Sequence, residues 1–224
     1  MFLVQYKKIK ISEKIVEYFE VGTKKDTLYW SKRLYQKGLS PATSGNISVR
    51  TKDGILISAT GVCLNDMDED DIVLMDFDGN VLEGKKKPSS EKFLHAQIYD
   101  LRDDINAIIH SHCPYITAFA CSNKMMSEPI MAEFVFYFDK IPKAKYSLPS
   151  SMQLAIDTAN YFKTSDTVLM QNHGVIGGAN TLQEVFYNLE SLRAYAETYF
   201  GTQVLGGAKK LNKKQVNEIK NLKK

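Results

Sequence analysis

The sequence predicts the α/β class: one domain, a three-layer α/β/α sandwich around a largely antiparallel sheet. Three observations carry that expectation. Short apolar runs in the first half are joined by tight-turn signals, the mark of hairpins. In the second half, short apolar runs alternate with longer stretches whose apolar residues recur at helical spacing. The composition, 44% hydrophobic and 25% charged over 224 residues, suits a chain that builds a packed core. The domain is read as residues 1–224, with 1–22 as an N-terminal extension and 207–224 as a basic tail.

Taken in order, residues 12–20 predict a short helix. A clearer one runs from Asp26, the expected N-cap, to Gly38, the expected stop, with Trp30 and Leu34 four apart on one face. The following L-S-P-A-T-S-G-N is loop chemistry, broken by Pro41 and Gly45. Strands over 47–49 and 55–58 flank T-K-D-G, a hairpin signal. A strand over 72–75 and a return at 81–82 flank the turn at Asp78 and Gly79, completing a meander. Leu94, Ile98 and Leu101 place a helix over 89–101. Residues 107–113 predict a buried strand, and Pro114 is placed to open a helix ending near Cys121. Residues 130–138, rich in Val, Phe and Tyr, predict a strand. A helix over 151–163, a strand over 166–170, a long helix over 181–200 and a short one over 212–222 complete the chain.

The formal charge is +3, and seven lysines with one glutamate follow Gly207, so the rest of the chain is slightly acidic. That leaves no basic face for nucleic acid. No run reaches the roughly 18 apolar residues that a membrane span needs. The opening M-F-L-V-Q-Y-K-K is too short for a signal-peptide core. Cys63, Cys113 and Cys121 are odd in number and form no C-x-x-C pair, a pattern of free thiols in a reducing compartment. The expectation is a soluble, cytoplasmic protein without nucleic-acid or membrane partners.

Four histidines are present, and two sit in H-S-H, His110 and His112, inside an apolar strand. Side chains two apart on a strand share a face, so the rings are neighbours. They read either as half a metal site or as a buried hydrogen-bonded pair. His173 lies in Q-N-H-G at a strand end, a place for a functional side chain or for a turn residue. The segment P-S-S-E opens a helix, whose free N–H groups and positive dipole end suit a phosphate. There Ser89 and Ser90 add hydroxyls, although N-capping uses serine equally. Glu91 and His95 share a helix face, and His95 reads as a packing or supporting residue. Two further loops, T-S-G-N (43–46) and S-A-T-G (58–61), put glycine beside small donors at strand ends, as ordinary turns also do. The Lys85–Lys87 run reads as a solvated loop.

Together and in this order, G-L-S-P-A-T-S-G-N-I-S-V-R (38–50), I-S-A-T-G (57–61), P-S-S-E-K-F-L-H-A-Q-I-Y (88–99), I-I-H-S-H-C-P-Y (108–115) and Q-N-H-G-V (171–175) resemble the class II aldolase/adducin family. The resemblance spans about 26–205. It implies one zinc ion per chain on His110, His112 and His173, with Glu91 as fourth ligand and catalytic acid/base. It also implies a phosphate site at Gly45, Asn46, Thr60, Gly61, Ser89 and Ser90. The implied reaction is cleavage of a fuculose-1-phosphate-like ketose phosphate to dihydroxyacetone phosphate and an aldehyde through a metal-stabilised enediolate, in a homotetramer. One departure is visible: the fuculose-type enzymes carry a tyrosine, donated by a neighbouring subunit, where this chain has Phe134, with Tyr137 nearby but displaced. That leaves open other phosphoketoses, including 5-deoxyribulose 1-phosphate and methylthioribulose 1-phosphate. The family's ribulose-5-phosphate 4-epimerases typically have aspartate at Glu91, and its methylthioribulose-1-phosphate dehydratases usually differ at Ser90. Adducin-like assembly modules have lost the ligands that this chain keeps.

Overall fold

The computed structural model describes residues 22–222. The helix expected over 12–20 lies outside the described residues. In chain order, α1 (Lys24–Gln36) precedes a four-strand meander of β1 (Asn46–Thr51), β2 (Gly54–Ser58), β3 (Ile72–Met75) and β4 (Val81–Glu83). Then come α2 (Lys92–Leu101), β5 (Ala107–Ser111), α3 (Pro114–Cys121), α4 (Ala132–Tyr137), β6 (Lys143–Ala144) and α5 (Met152–Tyr161). The hairpin β7 (Thr167–Met170) and β8 (Gly174–Ala179) leads into α6 (Leu182–Val204) and α7 (Lys213–Asn221).

The strands form one sheet in the order β4-β3-β2-β1-β5-β8-β7-β6, antiparallel throughout except for β6 beside β7. Strand alternation divides its buried residues between two cores. Ile47, Val49 and Ile109 pack with Trp30, Leu34, Phe119 and Phe186 from α1, α3 and α6. On the opposite face Ile55, Ile57, Ile108 and Ile176 pack with Leu94, Ile98 and Leu154 from α2 and α5. The expected three layers and mostly antiparallel sheet are therefore present.

Three local expectations are corrected. Residues 130–138 do not form a strand. Helical winding over 132–137 buries Phe134, which stacks on Tyr195 at 4.0 Å, so tertiary packing overrides the β preference of Val, Phe and Tyr. The N-cap of α1 is Thr23, not Asp26; Asp26 stands three residues on and accepts from Gly22 N–H and Trp30 Nε1–H. Strand β8 is absent from the sequence reading because its G-V-I-G-G-A is glycine-rich, which weakens a strand signal. The structure gives one of those glycines a reason: a Cβ on Gly178 would stand 2.9 Å from two Ile105 carbons.

The basic tail is tied back to the fold. Leu211 N–H donates to Pro129 O, Lys210 pairs with Glu128, and Lys220 pairs with Asp139, so α7 lies against α4.

Helix α6 carries much of one core. Thr181 and Glu184 cap it reciprocally, and Leu182, Val185, Phe186, Leu189 and Leu192 recur along its buried side. Phe186 is fully buried, 5.1 Å from the Trp30 ring. Phe186→Ala leaves a cavity there and is expected to lower stability by about 3–5 kcal/mol, measured by denaturant titration.

Candidate metal centre

Register brings the histidines together. Antiparallel pairing sets Asn46 opposite His110 and Ser111 opposite Val175, so the start of β1, the end of β5 and the start of β8 lie at one end of the sheet. His173 enters from the loop between β7 and β8. Asn172 in that loop has φ 56, a left-handed conformation that asparagine tolerates, and donates its N–H to Ala120 O. Gly174 is required by close approach. A Cβ there would sit 2.5 Å from Ser111 O, 3.0 Å from His112 Cδ2 and 3.2 Å from His110 Cε1.

The three imidazoles converge, with ring centroids 4.6, 4.8 and 5.0 Å apart. His110 is buried, and its Nδ1–H donates to Val175 O at 2.9 Å, which turns an unprotonated Nε2 toward the cluster. His112 Nε2 is 2.7 Å from that nitrogen. Burial first, then repulsion from neighbouring imidazoles, holds His110 and His112 below the ordinary histidine range. Both are neutral at pH 7, so their lone pairs are available.

Glu91, buried at the N-cap of α2, faces the same point. Its Oε2 lies 3.3 Å from His110 Nε2, and its Oε1 lies 3.3 Å from His173 Nε2. A tetrahedral ion with bonds of about 2.0–2.1 Å spaces its ligands about 3.3 Å apart. Glu91 Oε1 and His173 Nδ1 are buried without a hydrogen-bond partner among the described residues. His110, His112 and His173 present ligand atoms all within 4.8 Å of one another. The donor set and the orphaned carboxylate oxygen fit a small divalent cation.

The loops read as a phosphate site also meet at this end. Thr60 N–H donates to Lys87 O and Ser89 N–H to Ser58 O, zipping the T-G loop against the S-S-E segment. Gly45 and Gly61 take φ of 79° and 74°. Ser90, Thr60 and Gly61 are exposed. Ser89 is buried, and its hydroxyl accepts from the N–H of Glu91, the N-cap residue, while keeping its own proton to donate. Asn46 turns inward instead: Nδ2 donates to Glu91 Oε2 at 3.1 Å, and Oδ1 meets His95 Nε2 at 2.5 Å. Any part it takes in holding phosphate falls to its remaining N–H. Phe134 is 2% exposed and carries no transferable proton.

Sequence reasoning missed the link from Asn46 and His95 to the carboxylate. The signal is present as two matching periods. N-I-S-V-R alternates polar residues on a strand, and Glu91, His95 and Tyr99 recur every four residues on a helix.

A profile of the family described as the Class II Aldolase and Adducin N-terminal domain matches residues 25–200. The chain belongs to this family. An L-fuculose phosphate aldolase of Methanocaldococcus jannaschii is 37% identical over 174 residues, covering 78% of this chain and 93% of the relative. A 5-deoxy-D-ribulose 1-phosphate aldolase of Bacillus thuringiensis serovar kurstaki is 31% identical over 199 residues, covering 88% and 92%. A 3-oxo-tetronate 4-phosphate decarboxylase of Haemophilus influenzae is 30% identical over 174 residues, covering 75% and 82%. Among solved structures, an L-fuculose 1-phosphate aldolase superposes with a TM-score of 0.81 at 30% identity, covering 89% of this chain and 94% of the other. As a member of the family this chain is a metal-dependent lyase of the class II aldolase type. Among the described residues, no helix is long and apolar enough to cross a membrane.

Buried neutral histidines bind fewer protons in the folded chain than in the unfolded one below the ordinary value near 6.5. His110 and His112 are lowered, and burial pushes His95 down to about 3. Stability is therefore full above the unfolded value and falls as pH drops below it. The melting temperature of the metal-free protein is expected to decline between about pH 6.5 and pH 5, measured by thermal scans across that window.

Proposed function

We propose that this chain is a zinc-dependent aldolase that cleaves a phosphorylated ketose, fuculose-1-phosphate-like in shape, to dihydroxyacetone phosphate and an aldehyde. The observation that carries the proposal is the convergence of three imidazoles and the Glu91 carboxylate beside loops of small donors. His110, His112, His173 and Glu91 would hold the ion, and three histidines with a carboxylate suit zinc. When bound, the ion supplies Lewis-acid stabilisation of charge that develops on the substrate's carbonyl oxygen.

The chain's own groups supply the rest. Glu91 Oε1, buried and without a hydrogen-bond partner, is the oxygen free to move a proton at the three-carbon fragment. Asn46 holds the other oxygen. Ser90, Thr60 and Gly61, which are exposed, anchor the phosphate together with Ser89, Gly45 and Asn46. That group does not react, so its binding contributes position. The same reading makes the enzyme a cytoplasmic homotetramer, on the strength of the family resemblance and the free thiols. The ligand set speaks against an adducin-like assembly module.

Protein prepared without chelator and offered a panel of ketose 1-phosphates is expected to release dihydroxyacetone phosphate, detected by coupled reduction. Glu91→Gln should retain the fold and lose roughly two orders of magnitude or more in turnover, because an amide cannot take up the proton. Carbon dioxide release from a 3-oxo acid phosphate, with no triose phosphate from any ketose, would replace aldol cleavage by decarboxylation.

The phosphate assignment has its own test. A site of neutral donors binds through many modest bonds, so Ser90→Ala is expected to weaken ketose phosphate binding by about 1–3 kcal/mol. The Michaelis constant of the phosphate ester should rise while the unphosphorylated ketose stays equally poor. Equal cleavage of sugar and ester would remove the phosphate site.

A further inference from the structure

A polar seam runs between β1 and α2. Strand alternation turns Asn46, Ser48 and Arg50 toward the helix, and Glu91, His95 and Tyr99 come down to meet them at four-residue spacing. Of these, Asn46, Ser48, Glu91, His95 and Tyr99 are buried. The contacts form one chain. Tyr99 OH meets Ser48 Oγ at 2.8 Å, and Ser48 Oγ meets His95 Nδ1 at 2.7 Å. His95 Nε2 meets Asn46 Oδ1 at 2.5 Å, and Asn46 Nδ2 meets Glu91 Oε2 at 3.1 Å.

The direction of every bond follows from one end. A carboxylate only accepts, so the Asn46 group facing it is the NH2. Asn46 Oδ1 therefore faces His95 and needs a donor, which puts the ring proton on Nε2. The ring is neutral, so Nδ1 is bare and accepts from Ser48 Oγ–H. Ser48 in turn accepts from Tyr99 OH. Reversing the Asn46 amide would set its oxygen against the carboxylate and its NH2 against an N–H. The amide can reverse only if the His95 tautomer changes with it.

We propose that His95 is a positioning residue for Glu91, acting through Asn46. Its Nε2–H fixes the orientation of the Asn46 amide, which keeps Glu91 Oε2 hydrogen-bonded and leaves Oε1 turned to the cluster. His95 touches neither substrate nor ion in this role. The alternative is a strand–helix seam whose polar groups are merely satisfied, with no influence on the carboxylate. The kinetic part of the proposal rests on the aldolase reading above.

The test compares His95→Leu with His95→Gln. Leucine removes the donor to Asn46, whereas the glutamine tip offers both a donor and an acceptor. His95→Leu is expected to lower kcat about tenfold or more while the KM for the ketose phosphate and the metal content per chain stay within about twofold. His95→Gln should recover most of the lost kcat. A folded, metal-replete His95→Leu protein with kcat within about twofold of the parent would overturn the proposal. So would loss of metal content and kcat together without recovery in His95→Gln.

Nitrogen NMR of isotopically labelled histidine in the parent protein, prepared metal-free, reads the orientation without turnover. The His95 ring should show the neutral Nε2–H tautomer; the Nδ1–H tautomer would reverse the Asn46 amide and sink the idea. That measurement stands even if His95→Leu fails to fold. A parent protein that cleaves no ketose phosphate would defeat the aldolase reading, and the tautomer would still decide the orientation.

Discussion

Three imidazole nitrogens and a carboxylate crowd a largely buried corner of this molecule, and close lone pairs repel wherever water is scarce. Such an arrangement is tolerable where a cation can sit among the donors, and support from behind fixes a ligand's orientation. His110 is held by Val175 O through its far nitrogen, and Glu91 by Asn46. Much of the surrounding structure serves this crowding. The antiparallel register of β1, β5 and β8 brings their ends level. Gly174 lets the His173 loop lie against the other two rings. The cap of α2 delivers Glu91 to the same point.

The two faces of the sheet divide the work. One face is apolar and carries α6, whose aromatic and aliphatic stripe interlocks with Trp30 and Phe119. It can be read as the stabilising side. The face under α2 interrupts its apolar core with the seam from Asn46 to Arg50. Burying polar groups is costly unless each finds a partner. Here Asn46, Ser48, His95 and Tyr99 find one another, and Arg50 donates to the carbonyls of Arg102, at the C-cap of α2, and of Ile105 in the loop beyond. A satisfied buried network restricts its members to few arrangements, which suits a carboxylate with one oxygen held by Asn46 and the other left without a hydrogen-bond partner.

Family and fold were legible in the sequence because both depend on local signals. Turn residues at T-K-D-G and helical spacing at Leu94 and Ile98 each report on a few neighbouring positions. H-S-H, S-S-E and N-H-G are likewise short. Their order along the chain pointed to the family, which the profile match and the aldolase relatives bear out. The tail was legible as a helix, but its docking on α4 depends on Glu128 and Asp139, far away in sequence.

What only the tertiary structure decided lies where distant segments compete for the same space. Residues 130–138 carry strand-forming side chains, yet α4 winds as a helix because Phe134 finds Tyr195 of α6 to stack on. The glycines of β8 look like a loop until Ile105 is seen at Gly178 and the histidines at Gly174. Asn46, expected at a phosphate from its place in a G-N loop, is turned inward by a carboxylate 45 residues away. By itself the sequence offered the residues that could bind a cation and the hairpin pairing of the early strands. The orientation of each donor was settled by packing, because a hydrogen bond's direction depends on the partner that the fold supplies.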